Sequence, residues 1–152
     1  MSTNYRLSSE SVTEGHPDKV ADFIADSLLD AYLTEDPTAR VAIEVLVKDA
    51  HCIVAGEVTT AAHIDVSSVV RAAIGEIGYT DPTEAFHADG VTLTTLLSRQ
   101  APEIAAGVTH ATDDPEQQGA GDQGMMYGYA TAETEVLLPL PIYLAHRLTR
   151  QL

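Results

Sequence analysis

The chain has 152 residues and a mass of 16.2 kDa, enough for one domain with a core of its own and too little for two of ordinary size. Its 45% hydrophobic and 20% charged residues are those of a globular chain rather than a disordered one. Eight Lys and Arg stand against 23 Asp and Glu, and the formal charge of −15 repels phosphodiester backbones and anionic lipid, excluding nucleic acid and membrane surfaces as natural partners.

From Pro17 to residue 35 the sequence predicts a first helix. Pro17 suits the first helical position, Asp18 the first turn, and Val20, Ile24, Leu28 and Ala31 form an apolar stripe. Asp18, Asp22, Asp26 and Asp30 recur every four residues on another face, where each like-charge pair costs roughly 0.2–0.5 kcal/mol. Arg40–Val47 and Cys52–Thr59 are β-branched runs separated by Lys48-Asp49-Ala50-His51, a hairpin pattern. Asp65 caps a second helix through Ile77, with Val66, Val69, Val70, Ala73, Ile74 and Ile77 on one face and Gly78 as the stop. Val91–Leu97 is a further strand candidate.

Ala101–Gly121 then mixes Pro, Gly, Asp, Gln and Thr with almost no apolar period; so long a loop inside a compact domain is usually a lid, a binding loop or a disordered stretch, and this one reads as a lid candidate. Gly124–Ala130 reads as a strand, Met125 and Met126 as core filling, and Pro141–Leu152 as a last helix with Leu144, Ala145, Leu148 and Leu152 on one side. That helix ends without a capping residue, as an interrupted element would. Strands and helices mixed without strict β-α-β regularity predict an α+β fold: a mixed or antiparallel sheet with helices packed on one face and the other face free for a partner sheet.

The lone cysteine, Cys52, can form no intramolecular disulfide, and the polar N-terminus carries no signal-peptide core. The longest apolar stretch, Val136–Ala145, is broken by Pro139 and Pro141 and is far shorter than the ~20 residues of a spanning helix. A cytoplasmic protein is expected.

Three stretches could carry chemistry. Gly15-His16-Pro17-Asp18-Lys19 lies where a loop enters a helix, so free backbone N–H groups and the positive helix end could face a phosphate. Asp18 would suit a Mg²⁺ bridging carboxylate and phosphate oxygens, with His16 and Lys19 on the anion; alternatively His16 and Asp18 merely cap the helix. Glu44 and Glu57 interrupt apolar strands, and a buried carboxylate demands a cation, a donor or an interface. Pairing Val47 with His51 would turn them to opposite faces, and a loop one residue longer would turn them to the same face; either could instead be an outward-facing glutamate. Gly119-Ala120-Gly121-Asp122-Gln123-Gly124 would let a backbone approach a ligand while Asp122 and Gln123 hydrogen-bond it, or is a plain tight turn. The histidines show no metal-ligand spacing with Cys52.

Taken together, Ser9-Glu-Ser-Val-Thr-Glu-Gly-His-Pro-Asp-Lys19, Gly56-Glu-Val-Thr-Thr60, Gln100-Ala-Pro-Glu-Ile104 and Gly119-Ala-Gly-Asp-Gln-Gly-Met-Met-Tyr-Gly-Tyr-Ala130 closely resemble the methionine adenosyltransferase (S-adenosylmethionine synthetase) family. The likeness runs on through Pro139-Leu-Pro-Ile142 and Ala145-His-Arg-Leu148, over about the first two fifths of the usual family length. It implies an enzyme that joins ATP and L-methionine. The sulfur attacks C5′, the triphosphate leaves and is hydrolysed to pyrophosphate and phosphate, and Mg²⁺ and K⁺ assist.

The same resemblance implies roles for single residues. His16 would contact the triphosphate near the departing 5′ oxygen, where charge develops, and Lys19 would add positive charge. Asp18 would hold Mg²⁺ and Glu44 K⁺. Glu57, Gln100 and Asp122 would contact methionine, a carboxylate suiting its ammonium, and Gly119–Gln123 would line the ATP side. Ser98–Gln118 would be the family's mobile active-site loop within a single N-terminal-type region spanning 1–152.

The chain departs from the family pattern at Phe23, Ala101, Glu103 and Tyr127, and lacks the later glycine-rich motif, the Arg/Lys cluster and the second aspartate Mg²⁺ site. It is therefore expected to work with a second synthetase chain that supplies them, or in a homo-oligomer. The alternatives are a non-catalytic paralogue that modulates a full-length synthetase, and an inactive fragment.

Overall fold

The computed structural model describes residues 6–99 and 125–152. They fall into two compact units, one formed by Pro17–Gly124 and the other by Met1–His16 with Met125–Leu152. In the first, helix α1 (Pro17–Glu35) leads into strands β1 (Arg40–Lys48) and β2 (His51–Thr59), helix α2 (Val66–Ile77) and strand β3 (Thr92–Ser98). Strand order is β1-β2-β3, with β1 antiparallel and β3 parallel to β2, and both helices lie against one face of this mixed sheet. The α+β expectation holds.

Alternation along β2 explains the layering. Cys52 and Val54 point inward and are fully buried, and they meet Val20, Ile24 and Leu28 of α1 and Val70, Ala73 and Ile74 of α2. Fully burying each Ile or Leu of that set is worth about 1.5–3 kcal/mol. The α1 stripe continues through buried Tyr32 rather than the expected Ala31, because four-residue steps from Leu28 lead there. Asp18, Asp22, Asp26 and Asp30 are all exposed, so water screens the like charges.

Asp65 caps α2 by accepting from the N–H groups of Ser67 and Ser68, and Gly78, at φ 115°, ends it. The N–H of Gly78 donates to Gly75 and that of Tyr79 to Ile74, the paired bonds of a Schellman stop. Arg71 of α2 donates to the carbonyls of Ala88 (2.5 Å) and Val91 (3.2 Å) and so fixes the turn that feeds β3. Asp36, just after α1, accepts from the N–H of Ala61 and the hydroxyls of Thr38 and Thr60, tying the exit of α1 to the exit of β2.

The second unit holds helix α3 (Leu140–Gln151). Here three expectations fail. Residues 125–130 form no strand, and Met125 and Met126 are 79% and 87% exposed rather than in a core, since no neighbouring strand or helix covers this run among the described residues. On α3 the partly covered side carries Ile142, Ala145 and Thr149, while Leu144 and Leu148 are exposed, so the expected leucine stripe is not the packed face. The helix starts where Glu133 accepts from the N–H of Leu140, an acid supplying the cap that Pro139 cannot.

Candidate functional site

The hairpin register decides the placement of the two strand carboxylates. Val47 pairs with Cys52 and Lys48 with His51, leaving Asp49-Ala50 as the turn, with Asp49 at φ 51°. Glu44 therefore lies opposite Ala55 and Glu57 opposite Ala42, which sets both glutamates on one face as diagonal neighbours, a spacing of about 7–8 Å between backbones. This is the sheet face without helices. Glu44 is exposed and Glu57 half-buried, so neither is a carboxylate driven into the hydrophobic core. Each of these rungs ends on β3, Glu57 beside Ser98 and Ala55 beside Leu96. Leu46 and Leu96, 59% and 61% exposed, give the same face apolar patches around the acids.

A glycine makes this arrangement possible. Gly56, immediately before Glu57, has φ +141°, and a Cβ there would fall 2.0 Å from the Ala42 carbonyl oxygen. The β1 and β2 backbones thus approach at a distance that only glycine permits, at the residue that orients Glu57.

Pro17 occupies the first position of α1 as expected, with Asp18 and Lys19 exposed in the first turn. His16 closes the segment of the other unit, half-buried, its N–H donating to the Thr13 carbonyl at 3.1 Å. Gln100, Gly119, Ala120, Gly121, Asp122 and Gln123 lie outside the described residues, as does the expected active-site loop from residue 100 onward; Ser98 is the last residue of β3.

Sequence reading passed over one side-chain cluster in the second unit. Ser11 Oγ is 2.8 Å from His146 Nδ1, and the Thr149 hydroxyl, shared with the carbonyls of Ala145 and His146, reaches Ser11 Oγ at 3.4 Å. Ser11 and His146 both stand inside stretches that carry the family likeness, but 135 positions separate them and no local pattern links them. Elsewhere, a cleft at the ends of β2 and β3 is lined by Tyr32, Thr60, His63, Leu97, Ser98 and Arg99, among others; Ser98 and Arg99 begin the stretch expected to be the active-site loop, and none of the residues given an individual role from sequence lines it.

The electrostatics are those of a scaffold. Hydrogen bonds from the Ala61 N–H and from Thr38 and Thr60 hold the Asp36 carboxyl well below the usual carboxylate range. The Ser68 hydroxyl and N–H lower Asp65, and the N–H and hydroxyl of Thr83 lower Asp81. Burial pushes the Cys52 thiol up to about 11, which makes it inert as a nucleophile. Among the described residues no three His, Cys, Asp or Glu side chains converge on a common point that could hold a metal, and no helix is long and apolar enough to cross a membrane.

Residues 4–102 match the family model for the N-terminal domain of S-adenosylmethionine synthetase, and residues 117–152 that for its central domain. The chain is 53% identical over 148 residues to an S-adenosylmethionine synthase of Sorangium cellulosum, covering 97% of this chain and 35% of that protein. It is 56% identical over 156 residues to S-adenosylmethionine synthase 1 of Frankia casuarinae, covering 96% and 38%. With the enzyme of Syntrophobacter fumaroxidans the identity is 51% over 150 residues, covering 99% and 39%. The chain thus spans 35% to 39% of the length of these relatives.

Proposed function

The chain belongs to the S-adenosylmethionine synthetase family, and from that membership we propose that it supplies the N-terminal part of a methionine adenosyltransferase. In this reading ATP and L-methionine are the substrates. The methionine sulfur displaces the triphosphate from C5′, and the triphosphate is cleaved to phosphate and pyrophosphate. The observation that carries the reading is the match to two successive domains of one enzyme, in order, across nearly the whole chain.

The residues divide the labour by chemistry. His16 is the donor near the departing 5′ oxygen, and Lys19 adds positive charge where the polyphosphate collects it. Glu57, Gln100 and Asp122 recognise methionine, with a carboxylate for the ammonium, and Gly119–Gln123 lets backbone approach ATP. Mg²⁺ at Asp18 and K⁺ at Glu44 would neutralise the leaving triphosphate. Both are single exposed carboxylates, hard oxygen donors that fit such cations when shared with phosphate oxygens and water, and neither forms a closed protein cage.

With two lysines and a charge of −15 this chain brings little cationic surface to a triphosphate. The remaining family sequence must add it, whether continuous with this chain or carried by a second one, in a cytoplasmic oligomer whose partner sheet covers the Glu44–Glu57 face. The test is production of S-adenosylmethionine and phosphate from ATP, methionine, Mg²⁺ and K⁺. The 152-residue chain is assayed first alone and then with the remaining family sequence co-expressed. Product only in the second case is expected. Ordinary turnover by the chain alone overturns the need for the remainder, and no product in either case overturns the activity.

A further inference from the structure

Residues 6–16 form no helix or strand, so side chains and packing must give this segment its place. One anchor is visible. Ser11 Oγ lies 2.8 Å from His146 Nδ1, and the Thr149 hydroxyl reaches the same oxygen at 3.4 Å. His146 and Thr149 are three residues apart on α3 and so project from the same side of the helix. Five residues beyond Ser11 comes His16, and the turn from the Thr13 carbonyl to the His16 N–H at 3.1 Å shortens the connection between them.

We propose that His146 is a positioning residue: its imidazole clips Ser11 to α3 and thereby fixes the segment that ends in His16. The part concerning catalysis rests on the functional reading above, in which His16 acts at the departing oxygen. A helix is a rigid support, whereas a segment without ladder hydrogen bonds can shift by an ångström at little cost. Misplacing a group that acts on developing charge by about 1 Å can cost as much as ~100-fold in rate. The clip uses Nδ1, the ring nitrogen whose place an asparagine amide can take, so Asn preserves it and Leu removes it.

Hydrogen exchange of the peptide covering residues 6–16 in the full chain tests the clip. His146→Leu and Ser11→Ala should each lower its protection, His146→Asn should retain it, and the double variant should lose no more than either single one. Unchanged exchange in both single variants overturns the clip. Turnover of the assembly containing the remaining family sequence tests the positioning role. His146→Leu should lower kcat about 10- to 100-fold with KM for methionine within about 3-fold of wild type, and His146→Asn should recover most of it. Lost protection with unchanged kcat, or a KM effect alone, overturns the role. A wild-type assembly that makes no product overturns the functional reading and the positioning role with it, while the exchange arm still decides whether the clip exists.

Discussion

Gly56 shows how one residue without a side chain sets the position of the carboxylate that follows it. Its φ of +141° and the 2.0 Å gap that a Cβ would leave to the Ala42 carbonyl oxygen allow no compromise through rotamers, because the atom in the way is backbone. Gly56→Ala should therefore destabilise the chain by on the order of 3 kcal/mol, read as a shift in urea midpoint at constant m-value. In the proposed assembly it should also raise the KM for methionine, the substrate that reading assigns to Glu57, the next residue. The sequence placed a glycine beside an acid within a β-branched run, and nothing in that pattern distinguishes a glycine needed for close approach from one that merely weakens a strand. The difference lies in the position of Ala42, fourteen residues away and brought near only by pairing.

At the level of elements, α2 is the member that organises its neighbours. Its ends were legible because capping is local: Asp65 at the start and Gly78 at the stop do what their side chains, or the lack of one, dictate within a few residues. Its grip on β3 was not legible, because Arg71 reaches Ala88 and Val91 across seventeen and twenty positions. Arg71→Met keeps the apolar stem and removes the two hydrogen bonds from a charged donor. It should cost about 1.5–3 kcal/mol in equilibrium unfolding, with faster exchange of the amides at 88–92, where β3 begins. An equal loss of protection throughout α1 would show instead that Arg71 supports the whole core and not this turn. The failed strand at 125–130 illustrates the opposite case. The run is apolar and aromatic, but a strand needs a partner edge, and none lies beside it among the described residues.

For the molecule as a whole, the charge of −15 and the lowered carboxyls of Asp36, Asp65 and Asp81 act on stability in opposite directions as pH falls. Mild acidification from pH 7 toward the isoelectric point of about 4.4 relieves self-repulsion and should hold or raise stability. The three carboxyls bind protons less readily folded than unfolded, so their contribution is complete above the ordinary carboxylate pKa of about 3.9 and is lost as pH drops through their lowered values. Urea unfolding followed from pH 7 to pH 3 should thus show a broad maximum near pH 5 and a steep fall below about pH 4. Asp36→Asn should flatten that acid limb. Added salt should stabilise at pH 7 and do little near pH 5, and a stability that falls steadily from pH 7 downward would refute this balance.

What the sequence determined by itself was whatever rests on neighbours within a few residues: the bounds of the first two helices, the caps of the second, the hairpin and the α+β class. The motifs that mark the family are likewise local strings, which is why His16, Asp18, Lys19, Glu44 and Glu57 could be nominated before any fold was known. Only the tertiary structure decided that Glu44 and Glu57 share the face left bare by the helices, since a register shift of one residue reverses every side chain of a strand. It alone placed Ser11 against His146 and turned the leucines of α3 away from the packed side. Such facts depend on pairings between distant parts of the chain, and local propensity carries no information about which distant part will arrive.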